Sequence, residues 1–192
     1  MIRIIEQVAT IIEPVTTSEA KAHLHLTSND EDTYIASLLS VARVGLEVAT
    51  GRSFVEKTFK AYLDNFSIND EILLTPAPLA SIISIRYYDK DGVQQTLSSV
   101  EYQVDTISTP GKIKLDYDSS WPMTEERINA IEIEFKAGHK TGNPLPEPIK
   151  QAILLMVHHF YENRSELMQS NFKVEQMPKA TEYLIAPYKV YY

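Results

Sequence analysis

The sequence predicts an α+β protein in which N- and C-terminal helices form one helical core and an antiparallel β-rich region is inserted between them. Three observations carry that reading. Apolar residues recur every three or four positions between residues 30 and 49, two-residue alternation takes over between residues 54 and 137, and helical spacing returns from residue 149. The chain therefore divides into an N-terminal arm with helices (1–53), a β-rich insertion (54–143) and a closing helix with a tail (144–192). Each terminal piece is only about 50 residues, too short for a strong core of its own, so one composite domain is expected.

Glu13-Pro14-Val15-Thr16 ends an extended, Ile-rich arm. Thr16 followed three residues later by Glu19 has the spacing of a capping box, which opens a short helix over 18–26. Thr27-Ser28-Asn29-Asp30 breaks it, and the acids Asp30, Glu31 and Asp32 suit the positive end of a second helix. Ile35, Leu38, Leu39, Ala42, Leu46 and Ala49 form its apolar stripe, and Gly51 sits where a left-handed C-terminal cap belongs.

In the insertion, Thr58 to Leu63 alternates, Ile82 to Tyr88 is β-branched and aromatic, and Ile131 to Phe135 alternates apolar with acidic residues. Asp91-Gly92 predicts a tight type I′ hairpin, and Pro110-Gly111 a second turn. After a loop rich in Gly and Pro, Pro146 and Pro148 fit a first helical turn, followed by Ile149, Ala152, Ile153, Met156 and Phe160 at helical spacing. The helical core is thus expected to hold Ile35, Leu38, Leu39, Leu46, Ile149, Ile153, Met156 and Phe160. Four of the eleven tyrosines fall in the last ten residues, where a polar, frayed end is usual. Leu184, Ile185, Pro187, Tyr188, Val190, Tyr191 and Tyr192 are therefore candidates for a docking tail.

Composition limits the function. Twenty-six acidic against eighteen basic residues give a net charge of -8, which argues against sequence-independent grip on DNA, since that binding comes from Lys and Arg neutralising phosphates. With no cysteine there is no disulfide, thiolate metal site or thiol nucleophile. The first residues carry no basic n-region or cleavage signature, and the apolar run Ala152 to Val157 is far short of the ~20 residues a membrane helix needs, so no membrane partner is expected.

No constellation reads as an active site. His158 and Glu162 stand one helical turn apart, as zinc ligands can, but lack a nearby third ligand; an exposed helical pair is the plainer reading. Gly138-His139-Lys140-Thr141-Gly142 has phosphate-loop residue types in the wrong order, with Asn143-Pro144 where a helix must start. Asp116, Asp118, Glu125 and Glu126 cluster in sequence around Trp121-Pro122 without the Gly and distal Glu of a calcium loop. No catalytic residue, metal or cofactor is assigned. A metal-dependent hydrolase built from His158, Glu162 and these acids is the alternative from a different class.

A more specific reading comes from resemblance. Glu13-Pro14-Val15-Thr16 leading to Glu19-Ala20-Lys21-Ala22-His23-Leu24, Asp30-Glu31-Asp32 with Ile35 and Leu38-Leu39, and Thr50-Gly51-Arg52 resemble the start of tailed-phage head-to-tail connector (adaptor, or head-completion) proteins. Pro78 to Ile82, Tyr88 to Gly92, Tyr102 to Asp105, Trp121-Pro122 and Phe135 to Gly138 resemble the family's central β part. Pro146 to Ile149, Phe160 to Arg164 and Leu184 to Tyr188 resemble its closing helix and tail, while 171–181 matches nothing in it. The resemblance implies a non-enzymatic virion component at the head-tail junction, assembled in the bacterial cytoplasm. It also implies a homo-oligomeric, dodecamer-like ring beneath the portal protein that extends the DNA channel, with DNA passing through without specific binding, and that meets the next connector, stopper or tail component. A stopper or tail-completion protein is the alternative within the same class.

Overall fold

The computed structural model describes residues 2–7, 11–66, 71–140, 145–164 and 177–191. The chain forms two compact units: a helical one from Ile11–Phe54 and Asn143–Tyr191, and a β unit from Met1–Thr10 and Val55–Gly142.

In the helical unit α1 (Thr17–His23) starts at the expected capping box. The Glu19 amide donates to the Thr16 hydroxyl at 3.1 Å, and the Thr16 amide donates to the Glu19 carboxylate at 2.7 Å, so two amide donors at the helix start are satisfied. Helix α2 (Asp32–Thr50) ends at Gly51, whose φ of 68° is the left-handed cap predicted from its position. Its predicted stripe packs inward: Ile35, Leu38, Leu39, Ala42 and Leu46 are buried. Helix α3 (Glu147–Glu162) carries Pro148 in its first turn and buries Ile149, Ala152, Ile153, Met156 and Val157 against that stripe, with Phe160 partly buried beside them. Residues 179–188 form α4 (Lys179–Ile185) and a closing 3-10 turn (Ala186–Tyr188).

Charges also enter this core. Arg43 is 2% exposed, and its guanidinium donates to both Glu13 oxygens, at 2.8 and 3.2 Å, and to Glu47 at 2.7 Å. The other Glu47 oxygen accepts the Phe54 amide at 2.7 Å, so one carboxylate neutralises Arg43 and caps the chain as it leaves α2. Charge-assisted bonds of this kind offset the cost of burying the ions, and they tie the arm at Glu13 to the far end of α2.

The β unit holds two antiparallel sheets. The larger has the order β1 (Arg3–Glu6), β2 (Lys57–Leu63), β8 (Ile131–Ala137), β4 (Leu79–Tyr88), β5 (Gln94–Thr96). The smaller runs β3 (Glu71–Leu74), β7 (Gly111–Leu115), β6 (Tyr102–Asp105). Strict alternation in β2 and β8 places Phe59 opposite Phe135, their rings stacked at 5.7 Å on the buried face. On the other face Lys60 pairs with Glu132 at 3.1 Å and Arg86 with Glu134 at 3.2 Å. At the start of β7 the Gly111 backbone lies against the Leu79 side chain so closely that an added Cβ would come within 2.4 Å of it. Only glycine allows that approach.

One predicted detail differs. Asp91-Gly92 does not form a type I′ turn, because only Gly92 has a positive φ (75°). The Gly92 amide donates to the Asp89 carbonyl and the Asp89 amide to the Val93 carbonyl, giving a three-residue loop with glycine at its left-handed position. The Asp89 carboxylate decides this by accepting the amides of Asp91 (3.0 Å) and Val93 (2.9 Å), which holds Asp91 in a conformation open to any L-residue.

Replacing Arg43 by alanine strands Glu13 and Glu47 against the core. Urea unfolding of the Arg43→Ala variant is expected to show a loss of about 3–5 kcal/mol, the usual cost of breaking a buried pair from one side. A loss under about 1 kcal/mol, the size of a surface ion pair, would show that the network is not integral to the fold.

Candidate docking surfaces

The tail predicted to dock elsewhere is folded onto its own helical unit. Thr181 and Ile185 are fully buried, one turn apart on α4, and Leu184 and Tyr188 are partly buried against the same core. The Tyr188 carbonyl accepts Arg52 Nε at 2.5 Å, and the Val190 amide donates to the Thr50 carbonyl at 2.8 Å, so the last described residues are pinned to the end of α2. Ile185 is therefore an anchor and offers no docking surface. Pro187, Tyr191 and the unpredicted Tyr183 remain exposed, with Val190 half-buried; Tyr192 lies outside the described residues.

A polar clasp joins the start of α2 to the end of α3. Arg164 forms a bidentate pair with Glu31 at 2.7 and 3.0 Å and lies over the rings of Tyr34 and Tyr161, 4.4 and 4.3 Å from their centres. Tyr161 donates to the same carboxylate. The bond from Arg164 first, then that from Tyr161, holds the Glu31 carboxyl down to about 2. Tyr161-Glu162-Asn163-Arg164, singled out in the sequence, thus closes the bundle end, while 171–176 lies outside the described residues.

The candidate catalytic constellations are dispersed. His158 meets His23 of α1 edge-to-face, ring centres 6.0 Å apart. Among the described residues no group of three His, Asp or Glu side chains is placed to hold a metal ion. Asp116 accepts from Gln103 at 2.6 Å, Glu125 pairs with Arg127, and Trp121 stacks on Phe66 at 4.5 Å. A cleft of about 330 Å³ runs along Lys114, Leu115, Asp116, Tyr117, Ser119, Ser120 and Trp121, with one carboxylate in its lining where two-carboxylate chemistry needs a pair. The Gly138-His139 loop is tied back into the sheet, Gly138 donating to the Pro78 carbonyl and Glu56 to that of His139; Thr141 and Gly142 lie outside the described residues.

The most distinctive surface is one that sequence reasoning passed over. On α2 the exposed residues are Thr33, Ala36, Ser37, Val41, Val44, Gly45 and Val48, without a charge among them. Val41, Val44 and Val48 are 55, 46 and 79% exposed and form one stripe at helical spacing. Gly45 lies beside them, with no neighbouring heavy atom of the described residues within 4 Å of where a Cβ would stand. Mid-helix glycine costs about 1 kcal/mol relative to alanine, and none of the described residues explains its presence. The signal was available: Arg43 and Glu47 occupy the inward positions that valines would suit.

The sequence profile of the head completion protein family matches residues 13–190, nearly the whole chain. This chain belongs to the head completion protein family. Its role is that of a structural head-to-tail connector of the virion. No curated protein sequence matches the chain significantly. Among solved structures, this head completion protein is similar to a chain in the neck of an empty gene transfer agent (GTA) particle computed with C6 symmetry. The TM-score is 0.80 at 22% identity, covering 99% of this chain and 96% of that one. A chain of the native GTA virion gives 0.79 at 22% identity, over 98% and 96%. One in the neck of the native GTA particle computed with C12 symmetry gives 0.72 at 21% identity, over 99% and 96%. At that identity the likeness is one of fold, and it extends over both units.

The partly buried His23 is expected to make the head completion protein sensitive to acid. Burial first, then the charges of His158 and His25, hold the His23 imidazole below its ordinary value of 6.5. The unfolded chain therefore takes up the proton first, so the stability present above pH 6.5 is lost as the pH falls from there through the lower folded value. Urea midpoints are expected to decline between pH 7.5 and pH 5, and His23→Gln to flatten the decline; an unchanged slope would rule out His23 as its source.

Proposed function

We propose that copies of this chain assemble as a ring beneath the portal of the virion head, extend the DNA channel and present a surface to the next connector or tail component. The observation that carries the reading is family membership over residues 13–190, together with a full-length fold likeness to chains of particle necks solved under C6 and C12 symmetry. A closed ring needs a surface that packs head to tail against the next copy. The net charge of -8 suits a wall past which DNA moves, since phosphate contacts that would slow transit need cations. No bond is made or broken in this role.

Within the tail, the exposed side chains of Tyr183, Pro187 and Tyr191 are the groups proposed to meet the portal, while Ile185 and Tyr188 hold the segment on the bundle. Tyrosine suits such contacts because its large ring loses little conformational entropy and its hydroxyl can pair at a wet rim. The reading is tested by co-sedimentation with purified heads. Several copies per portal-bearing head, none on heads lacking the portal, and at least tenfold fewer with a Tyr183→Ala/Tyr191→Ala variant of unchanged thermal midpoint are expected. Equal binding to both kinds of head would reject the role, and undiminished binding of the variant would reject the tail contact alone. Fluorescence anisotropy with duplex DNA at physiological salt should show only weak binding; a tight, salt-sensitive complex would contradict free passage.

A further inference from the structure

We infer that the uncharged outer face of α2 is the surface on which one copy of this chain receives the next. The inference rests on the ring reading above and assigns it a specific contact. Two features of the face point to a packed partner: three valines exposed in one stripe, and a glycine beside them whose missing side chain leaves room for close approach. The partner's chemistry follows from charge. A second copy carries the same net charge of -8, so two copies repel over most of their surfaces and approach best where neither presents a carboxylate. DNA would call for Lys and Arg on this face, and a basic partner for Asp and Glu; from Thr33 to Val48 the exposed positions offer neither.

Size points the same way. The strip is roughly 22 Å long on a helix about 10 Å across, a few hundred Å² against the ~800 Å² per partner of a standard stable complex. Such a contact is too small to hold a free pair together. It closes where each copy has a neighbour on both sides and all are held on one template, because the effective concentration of the next copy is then high. The isolated chain is accordingly expected to be a monomer.

Gly45→Arg separates assembly from folding. No heavy atom of the described residues lies within 4 Å of a Cβ added at Gly45, and arginine is the better helix former, so the thermal midpoint by circular dichroism should stay level or rise. On portal-bearing heads, electron microscopy of the unsubstituted chain should show a coaxial ring, and Gly45→Arg should lose ring closure, with at least tenfold fewer copies per head. Val48→Glu, at an already exposed position, should give the same two readouts. A complete ring with either variant would overturn the inference while leaving the ring reading intact. A lowered midpoint for Gly45→Arg would also overturn it, because the face would then be covered by the chain's own residues. Absence of a ring with the unsubstituted chain would remove the ring reading and this inference with it.

Discussion

Arg43 sits within the helical core with three hydrogen bonds to two carboxylates, and the arrangement of the helical unit follows from keeping that guanidinium paired. Moving such an ion out of water costs several kcal/mol unless its donors are met. Glu13 supplies two acceptors from the arm before α1, and Glu47 a third from one turn further along α2. Because Glu47 also takes the Phe54 amide, the charge pair fixes where the chain enters and leaves the unit as well as the rotation of α2 about its axis. Turning α2 by one residue, about 100°, would carry Arg43 away from Glu13 and bring a valine inward.

That fixed rotation has an outward consequence. With its basic residue and one of its two acids committed to the interior, α2 presents valine, alanine, serine, threonine and glycine to the outside. In an isolated chain this costs solvation and helix stability without return. In an assembly of like-charged copies it supplies a neutral surface, so the buried ion pair and the exposed valines are two aspects of one design. The clasp of Glu31 with Arg164 and the anchoring of Ile185 complete the bundle at other points, while Val41, Val44 and Val48 stay exposed.

Local signals in the sequence were legible where physics is local. Thr16 with Glu19, Gly51, and the alternation of β2 and β8 each specify an element within a few residues, and each appears as expected. The Asp-Gly turn was misjudged because the deciding group, the Asp89 carboxylate, acts from outside the pair. The tail was harder to read. Its aromatic content suggested an outward surface, whereas Thr181 and Ile185 turn inward and α4 packs on α3. The Arg43 network was not legible, since a charge with an acid four residues on ordinarily marks a solvated helix face, and its other partner, Glu13, lies 30 residues away. The exposed valines were missed for the same reason: only one face of α2 was read.

The most direct test of this account is electron cryomicroscopy of the assembled head-tail junction at side-chain resolution. A closed ring is expected in which the next copy packs against Val41, Val44 and Val48, with its heavy atoms within about 4.5 Å of the valine methyls and part of it over Gly45. A ring in which those valines face the channel, or stand free in solvent with the contact made elsewhere, would contradict it.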